Sequence, residues 1–128
     1  MKVLTIKEPY ATLIINGYKE YEFRSWKTNY RGRVLIHAGL SIDRDILEDF
    51  KSYSIKCNPG YILGEVELID CIKIDEDFNS KLTSINPLIY GRKNHVGYYA
   101  WKLKVIKKYD KLIPCKGKLG IWNYEKNE

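Results

Sequence analysis

The sequence is short of the residues from which covalent staples, metal sites and membrane spans are built. Its 128 residues include three cysteines, Cys57, Cys71 and Cys115, an odd number with no C-x-x-C spacing. That pattern indicates neither a disulfide framework nor a zinc knuckle. The two histidines, His37 and His95, have no matching Cys or carboxylate spacing, so no metal site is read and no cofactor is expected. No apolar run approaches the ~20 residues of a membrane span; the longest, such as Leu13-Ile14-Ile15, are short. The N-terminus lacks a continuous apolar stretch and meets Glu8-Pro9 early, which argues against a secretory signal. Repeats, low-complexity tracts and Gly/Ser linkers are also missing, so residues 1–128 read as a single domain. A reducing, cytoplasmic setting with no membrane partner is the expectation.

What is present is a mixture suited to a folded core. The chain is 45% hydrophobic and 30% charged, and a chain of this length hides roughly two thirds of its unfolded surface. Its net charge is +6 and unevenly spread. Residues 1–40 carry seven basic and three acidic side chains, residues 41–80 four and ten, and residues 81–128 eleven and three. Two basic segments around an acidic one suggest a bipolar surface whose basic side attracts phosphate backbones.

Periodicity sets out the elements. Residues 2–6 read as a strand; Pro9 then suits the first turn of a helix in which Tyr10, Leu13, Ile14 and Gly17 recur at helical spacing. Gly17 is a natural stop because it accepts the left-handed conformation cheaply. From Glu20 to Arg24 the period becomes two, with Tyr21 and Phe23 on one face and Glu20, Glu22 and Arg24 on a face expected to be wet. A loop over 25–32 and a strand over Arg33–Ala38 follow. Ser41 is placed to cap a helix running to about Tyr53 with Ile46, Leu47 and Phe50 inward. Asn58-Pro59-Gly60 is a turn. A long strand starts at Tyr61, with Ile62, Val66 and Leu68 on one face and a bulge signalled at Ile69-Asp70-Cys71. A short helix is expected within Asp75–Ile85 and a polar loop over 86–96. An amphipathic strand follows through Tyr99, Trp101, Leu103 and Val105, then strands near Leu112-Ile113 and Leu119–Trp122. Five to seven strands with two or three short helices make an α+β chain, and a small, mostly antiparallel β-barrel explains the order best.

The densest chemistry lies in Gly17-Tyr18-Lys19-Glu20-Tyr21-Glu22-Phe23-Arg24-Ser25-Trp26. A helix ends, the chain turns into a strand, and a cation, a carboxylate and a guanidinium stand within a few residues. Arg24 can fork onto a carboxylate or phosphate, and Lys19 offers a mobile point charge whose loss should leave the melting temperature nearly unchanged. The plain alternative is that Glu22 and Arg24 simply pair on a solvated strand.

Here the sequence resembles the activating-signal-cointegrator homology (ASCH) domain. The likeness begins at Leu4-Thr5-Ile6-Lys7-Glu8-Pro9-Tyr10-Ala11 and passes through Gly17-x-Lys19-x-x-Glu22-x-Arg24-Ser25-Trp26. It continues into Tyr30-Arg31-Gly32 and Ile36-His37-Ala38, with a weaker echo at Ile113–Gly117 and Gly120–Trp122. It spans essentially the whole chain. The resemblance implies a PUA-like β-barrel, a class that includes RNA-binding and modified-base-reading domains, with its ligand cleft beside the first helix and the Lys19–Arg24 strand. Glu8 departs from the Gln often found before Pro-Tyr-Ala in the family, and a carboxylate there would repel a phosphate.

The loop Trp26-Lys27-Thr28-Asn29-Tyr30-Arg31 interleaves rings with cations, the pairing that single-stranded RNA meets by stacking and phosphate neutralisation. Trp26 reads equally as a stacking platform or a barrel lid, and Tyr30 more readily as packing. His37 lies in a strand beside the same region, and His95 is equally open between structural and chemical roles. The expected ligand-binding set is therefore Lys19, Glu22, Arg24, Trp26, Lys27, Tyr30, Arg31 and His37, in a nucleic-acid-binding module for single-stranded RNA or a modified nucleotide. The alternative is a small hydrolase, of ribonuclease or amidohydrolase type, using Lys19 and Glu22. Some small ASCH-like proteins are acetylcytidine amidohydrolases in which a Lys and a Thr of the motif act with a later Glu. In this chain Lys19 matches, Glu22 stands where the Thr would be, and Phe78–Tyr99 contains no Asp or Glu, so acetylcytidine hydrolysis is not expected.

Overall fold

The computed structural model describes residues 1–125. Strand β1 (Lys2–Glu8) leads through a cis Glu8–Pro9 peptide into helix α1 (Tyr10–Ile15), of which five residues are buried. Gly17 ends this helix as expected, with φ at +84°. That left-handed turn lets Tyr18 N–H return to the Leu13 carbonyl at 2.9 Å, with Lys19 N–H reaching the same oxygen at 3.1 Å. The chain is thereby folded back under its own helix and enters β2 (Tyr21–Arg24).

Strand β3 (Gly32–Ile42) runs further than its apolar stretch suggests, because Ile42 pairs with Glu8. The next helix, α2 (Arg44–Asp49), is consequently capped by Asp43, whose carboxylate accepts from Ile46 N–H, and not by Ser41. A 3-10 turn over 51–53 follows, with Phe50 fully buried. Strand β4 (Tyr61–Lys73) shows the expected bulge, a register shift between Leu68 and Asp70. A further shift between Ile62 and Gly64 sends Ile62 to a different core cluster from Val66 and Leu68, contrary to the one-face reading. Helix α3 (Glu76–Ile85) is capped by Asp75. The stretch read as a polar loop from residue 86 begins with a further short helix, α4 (Pro87–Tyr90), capped by Asn86 with Pro87 in its first turn. Strand β5 (Tyr99–Pro114) is continuous through Leu112-Ile113, and β6 (Ile121–Asn123) closes the order.

These six strands form one sheet in the order β2-β5-β4-β3-β1-β6, mainly antiparallel with β1 and β3 parallel. The fold is mixed α+β, and the sheet is not closed into the expected barrel: β2 and β6 are free edges. The reason is local. Strand β6 pairs with β1 only over Lys2–Leu4, and the Thr5 carbonyl beyond it is taken by the Arg24 guanidinium at 2.9 Å. Side chains, not ladder hydrogen bonds, therefore bridge the gap between the curled ends.

Along the β4–β5 ladder charge is interleaved. Acidic β4 lies beside basic β5, with Glu65, Glu67 and Asp70 opposite Lys107, Lys104 and Lys102. Arg33 adds an ion pair to Glu65 at 3.4 Å, and Arg92 pairs with Asp49. Among the described residues no helix is long and apolar enough to cross a membrane.

Candidate functional site

The register of β2 against β5 sets Glu22 opposite Trp101 and Arg24 opposite Tyr99. The face expected to be wet is thus turned towards fully buried Trp101, and the other face, Tyr21 and Phe23, is covered by Phe78 and Tyr90 from α3 and α4. Glu22 is buried on the one face and Tyr21 and Phe23 are half-buried on the other, while Glu20, just before the strand, is exposed. Alternation in sequence marks two faces without saying that the polar one is solvated.

Lys19 and Glu22 are buried, at 4% and 8% exposure. Lys19 Nζ donates to Glu22 Oε1 at 2.8 Å and to the Tyr21 carbonyl at 2.6 Å. Arg24 Nη2 donates to the other carboxylate oxygen at 3.1 Å and to Thr5 O. The Lys19 ammonium also lies 5.2 Å from the Tyr10 ring centroid and 5.0 Å from that of Phe23, in cation–π range. The mobile surface lysine of the sequence reading is therefore a fixed member of a charge-compensated row, and its removal bears on the fold. Burial pushes Lys19 below its ordinary value despite the opposing pull of Glu22. For Glu22 burial alone acts upward, yet the two cations and their hydrogen bonds outweigh it and hold the carboxyl below its usual range. A low-lying carboxylate with both oxygens engaged is a weak general base.

Lys19 and Glu22, but not Arg24, line a cavity of about 160 Å³ walled by Tyr10, Phe23, His95 and Tyr98. Lys19 and Glu22 supply its buried polar side, and Lys93, which is exposed, stands with its Nζ 5.6 Å from the Tyr98 ring centroid. The far wall is held by the segment read as a loop. Tyr90 of α4 accepts the Glu20 N–H on its hydroxyl at 2.8 Å, and Asn79 of α3 accepts the His95 N–H at 3.1 Å. His95 stacks on Phe23 with centroids 4.0 Å apart. Burial, then the nearby Lys93 and Lys19 charges, lower the imidazole to about 4, so it is neutral at physiological pH. Sequence reasoning left out Tyr10, Phe23, Lys93, His95 and Tyr98. For Lys93, His95 and Tyr98 the signal was the density of rings and cations in Lys93–Tyr99, which alternation alone does not place next to Lys19, and for Tyr10 it was the place of the first helix beside the expected cleft.

Of the other expected residues, Trp26 and Lys27 project from the end of β2. Trp26 is 42% exposed, its ring edge-on to Trp101 at 4.7 Å and its carbonyl accepting Trp101 Nε1–H at 3.3 Å. Tyr30 and Arg31 turn back on their own loop: Tyr30 donates its hydroxyl to Arg33 O, and Arg31 donates to the Thr28 and Tyr30 carbonyls.

The structure does not bring His37 to this cluster. On β3 it shares the face of Leu35, opposite that of Val34 and Ile36, which pack with α1. Its Nε2 lies 2.6 Å from Cys115 O and its Nδ1 3.2 Å from Thr5 Oγ1. A carbonyl only accepts, so Nε2 carries the proton; the Thr5 hydroxyl then donates to Nδ1 while accepting Trp122 Nε1–H at 2.9 Å. Every polar atom of that hydrogen-bonded series is satisfied, and Gly117 packs so closely that a Cβ there would collide with the imidazole. Burial raises the Cys115 thiol and, with Glu8 nearby, raises Cys57 to about 11, so neither is primed as a thiolate. Among the described residues no three His, Cys, Asp or Glu side chains are grouped to hold a metal ion.

Comparison with known proteins adds three findings. The sequence model described as the ASCH domain matches residues 4–113. Human "Activating signal cointegrator 1" is 27% identical over 139 aligned residues covering 95% of this chain, and the alignment spans only 22% of that protein's length. Two solved structures of ASCH from Zymomonas mobilis superpose over 98% of this chain. One, a point mutant of that protein, has a TM-score of 0.58 at 16% identity with 90% of its chain covered. The other has a TM-score of 0.59 at 15% identity with 87% covered. The likeness to these structures is one of fold.

Proposed function

Given that this chain belongs to the ASCH domain family, generally linked to RNA binding, we propose that residues 1–128 form a single nucleic-acid-binding domain. Its ligand is single-stranded RNA or a modified nucleotide, taken in the cleft beside Gly17-x-Lys19-x-x-Glu22-x-Arg24. One observation carries the reading. A ring-walled cavity, a buried cation and an exposed lysine converge at the start of β2, and the same strand delivers half-exposed Trp26 and Lys27 at its other end. Rings stack on bases, and cations neutralise phosphates. Tyr30 and Arg31 shape the loop that presents Trp26 and Lys27, while His37 supports the sheet behind it.

The test is a titration of labelled single-stranded RNA from low to physiological salt. Affinity should fall as salt rises, because phosphate contacts release counterions. Lys27→Ala should weaken binding without lowering the melting temperature, and Trp26→Ala should weaken binding together with some loss of stability, because its ring packs edge-on against Trp101. Absence of binding at low salt refutes the proposal, and a flat salt response removes phosphate from it.

A further inference from the structure

The two histidines differ in a way that bears on the ligand. His37 is saturated: both ring nitrogens have partners and its tautomer is fixed. His95 is equally sequestered, at 6% exposure, yet its Nδ1 has no hydrogen-bond partner among the described residues. A buried polar atom left unpaired is costly and requires an explanation. The ring is not loose. Its backbone N–H is held by Asn79, its carbonyl accepts Tyr98 N–H at 3.0 Å, and its plane lies on Phe23. The molecule holds a neutral imidazole rigidly in the wall of a small cavity and leaves that imidazole's hydrogen-bonding capacity unused.

The cavity limits what can use it. At about 160 Å³ it is well below the ~300 Å³ at which drug-sized ligands begin to fit. It suits one planar ring beside the Tyr10 and Tyr98 side chains, the Phe23 ring being already covered by His95. Lys93 is exposed beside it, and among the described residues it forms no ion pair, so it is free to meet an anion carried outside the ring.

We infer that His95 is the base-reading residue of this cleft and that Lys93 holds the attached phosphate, so that the unit recognised is one nucleotide with its base inserted beside the Tyr10 and Tyr98 rings. The inference rests on the nucleic-acid-binding reading and adds to it the size of the unit and the residue that selects among bases. Nδ1 is sealed in the wall with no partner to fix the tautomer, so the imidazole can carry its proton on either nitrogen. The fixed His37 cannot do this.

The experiment measures binding of the four nucleoside monophosphates, their nucleosides and ribose 5-phosphate by calorimetry. Single-stranded RNA binding is followed separately, in the native protein and in His95→Phe, His95→Gln and Lys93→Ala. The native protein should prefer one nucleotide by about tenfold, the discrimination of one well-placed hydrogen bond. His95→Phe keeps the stack on Phe23 and should lose the preference while ribose 5-phosphate binding is unchanged; His95→Gln, with a donor and an acceptor, should recover part of it. Should the Phe variant melt early, the Gln variant reports the same ranking. Lys93→Ala should bring nucleotide and nucleoside affinities together. A preference undiminished in His95→Phe (or, if that variant melts early, in His95→Gln), or no base preference in the native protein, overturns the inference. RNA binding that persists in that case leaves the broader proposal standing. Base-selective nucleotide binding without RNA binding removes RNA from the broader proposal and leaves the nucleotide as its ligand.

Discussion

Replacing Glu22 with glutamine leaves the shape of the buried row intact and removes its only negative charge. The carboxylate sits 2.8 Å from Lys19 Nζ and 3.1 Å from Arg24 Nη2, with the Lys19 side chain 3% exposed and that of Arg24 21%. At an effective dielectric of about 20, the Lys19–Glu22 attraction is on the order of 6 kcal/mol before desolvation is subtracted. Breaking such a pair from one side costs about 3–5 kcal/mol, because the remaining charge stays buried without compensation. For a domain of this size that lowers the melting temperature by roughly 10–20 °C. Lys19→Met should cost less, since Glu22 keeps Arg24. The double variant should be more stable than the sum of the two losses implies, with a coupling of about 2 kcal/mol or more.

The sign of the pH response adds a second check. Loss of Glu22 removes the pull that raises Lys19, so its folded value drops further below the unfolded one near 10.4. Between those two values the unfolded state binds more protons, so Glu22→Gln should regain stability as pH rises from 7 towards 10. Urea denaturation of the four proteins at pH 7 and 9.5 measures both effects. Additivity within about 0.5 kcal/mol, or no recovery at high pH, would refute the reasoning.

Two further outcomes are expected. His95 is lowered to about 4 against an unfolded value near 6.5, so the unfolded state takes up the proton first on acidification and stability falls between those two pH values. The loss is on the order of 2 kcal/mol after discounting for solvent screening. Urea titrations across that range should show it in the native protein and not in His95→Phe; parallel curves would place the imidazole in water. Gly117→Ala should push the His37 ring off Cys115 O, at a cost of about 1–3 kcal/mol for overpacking. Through the Thr5 link it should also alter Trp122 fluorescence, whereas an unchanged stability and spectrum would show that the loop simply moves aside.

The sequence by itself determined the elements whose causes are local. Pro9 and Gly17 bracket α1, Asp75 starts α3, and the phase change near Ile69 marks the bulge, because caps, turns and alternation act over a few residues. It also brought Lys19, Glu22 and Arg24 together, since a helix stop followed at once by a strand leaves little freedom. Tertiary structure decided everything that depends on what covers those elements. Alternation could not show that the polar face of β2 is enclosed, because its cover comes from Trp101, and Tyr90 on the other face, far along the chain. The four residues of α4 are too few to show a helical period, so the wall that holds His95 read as a loop. Whether a histidine is saturated or left unpaired depends on partners as distant in sequence as Cys115 for His37 and Asn79 for the backbone of His95. The open sheet was equally hidden: strand signals give the number of strands, whereas closure depends on which edges meet, and here Arg24 reaches the Thr5 carbonyl with a side chain where a barrel would have used the backbone.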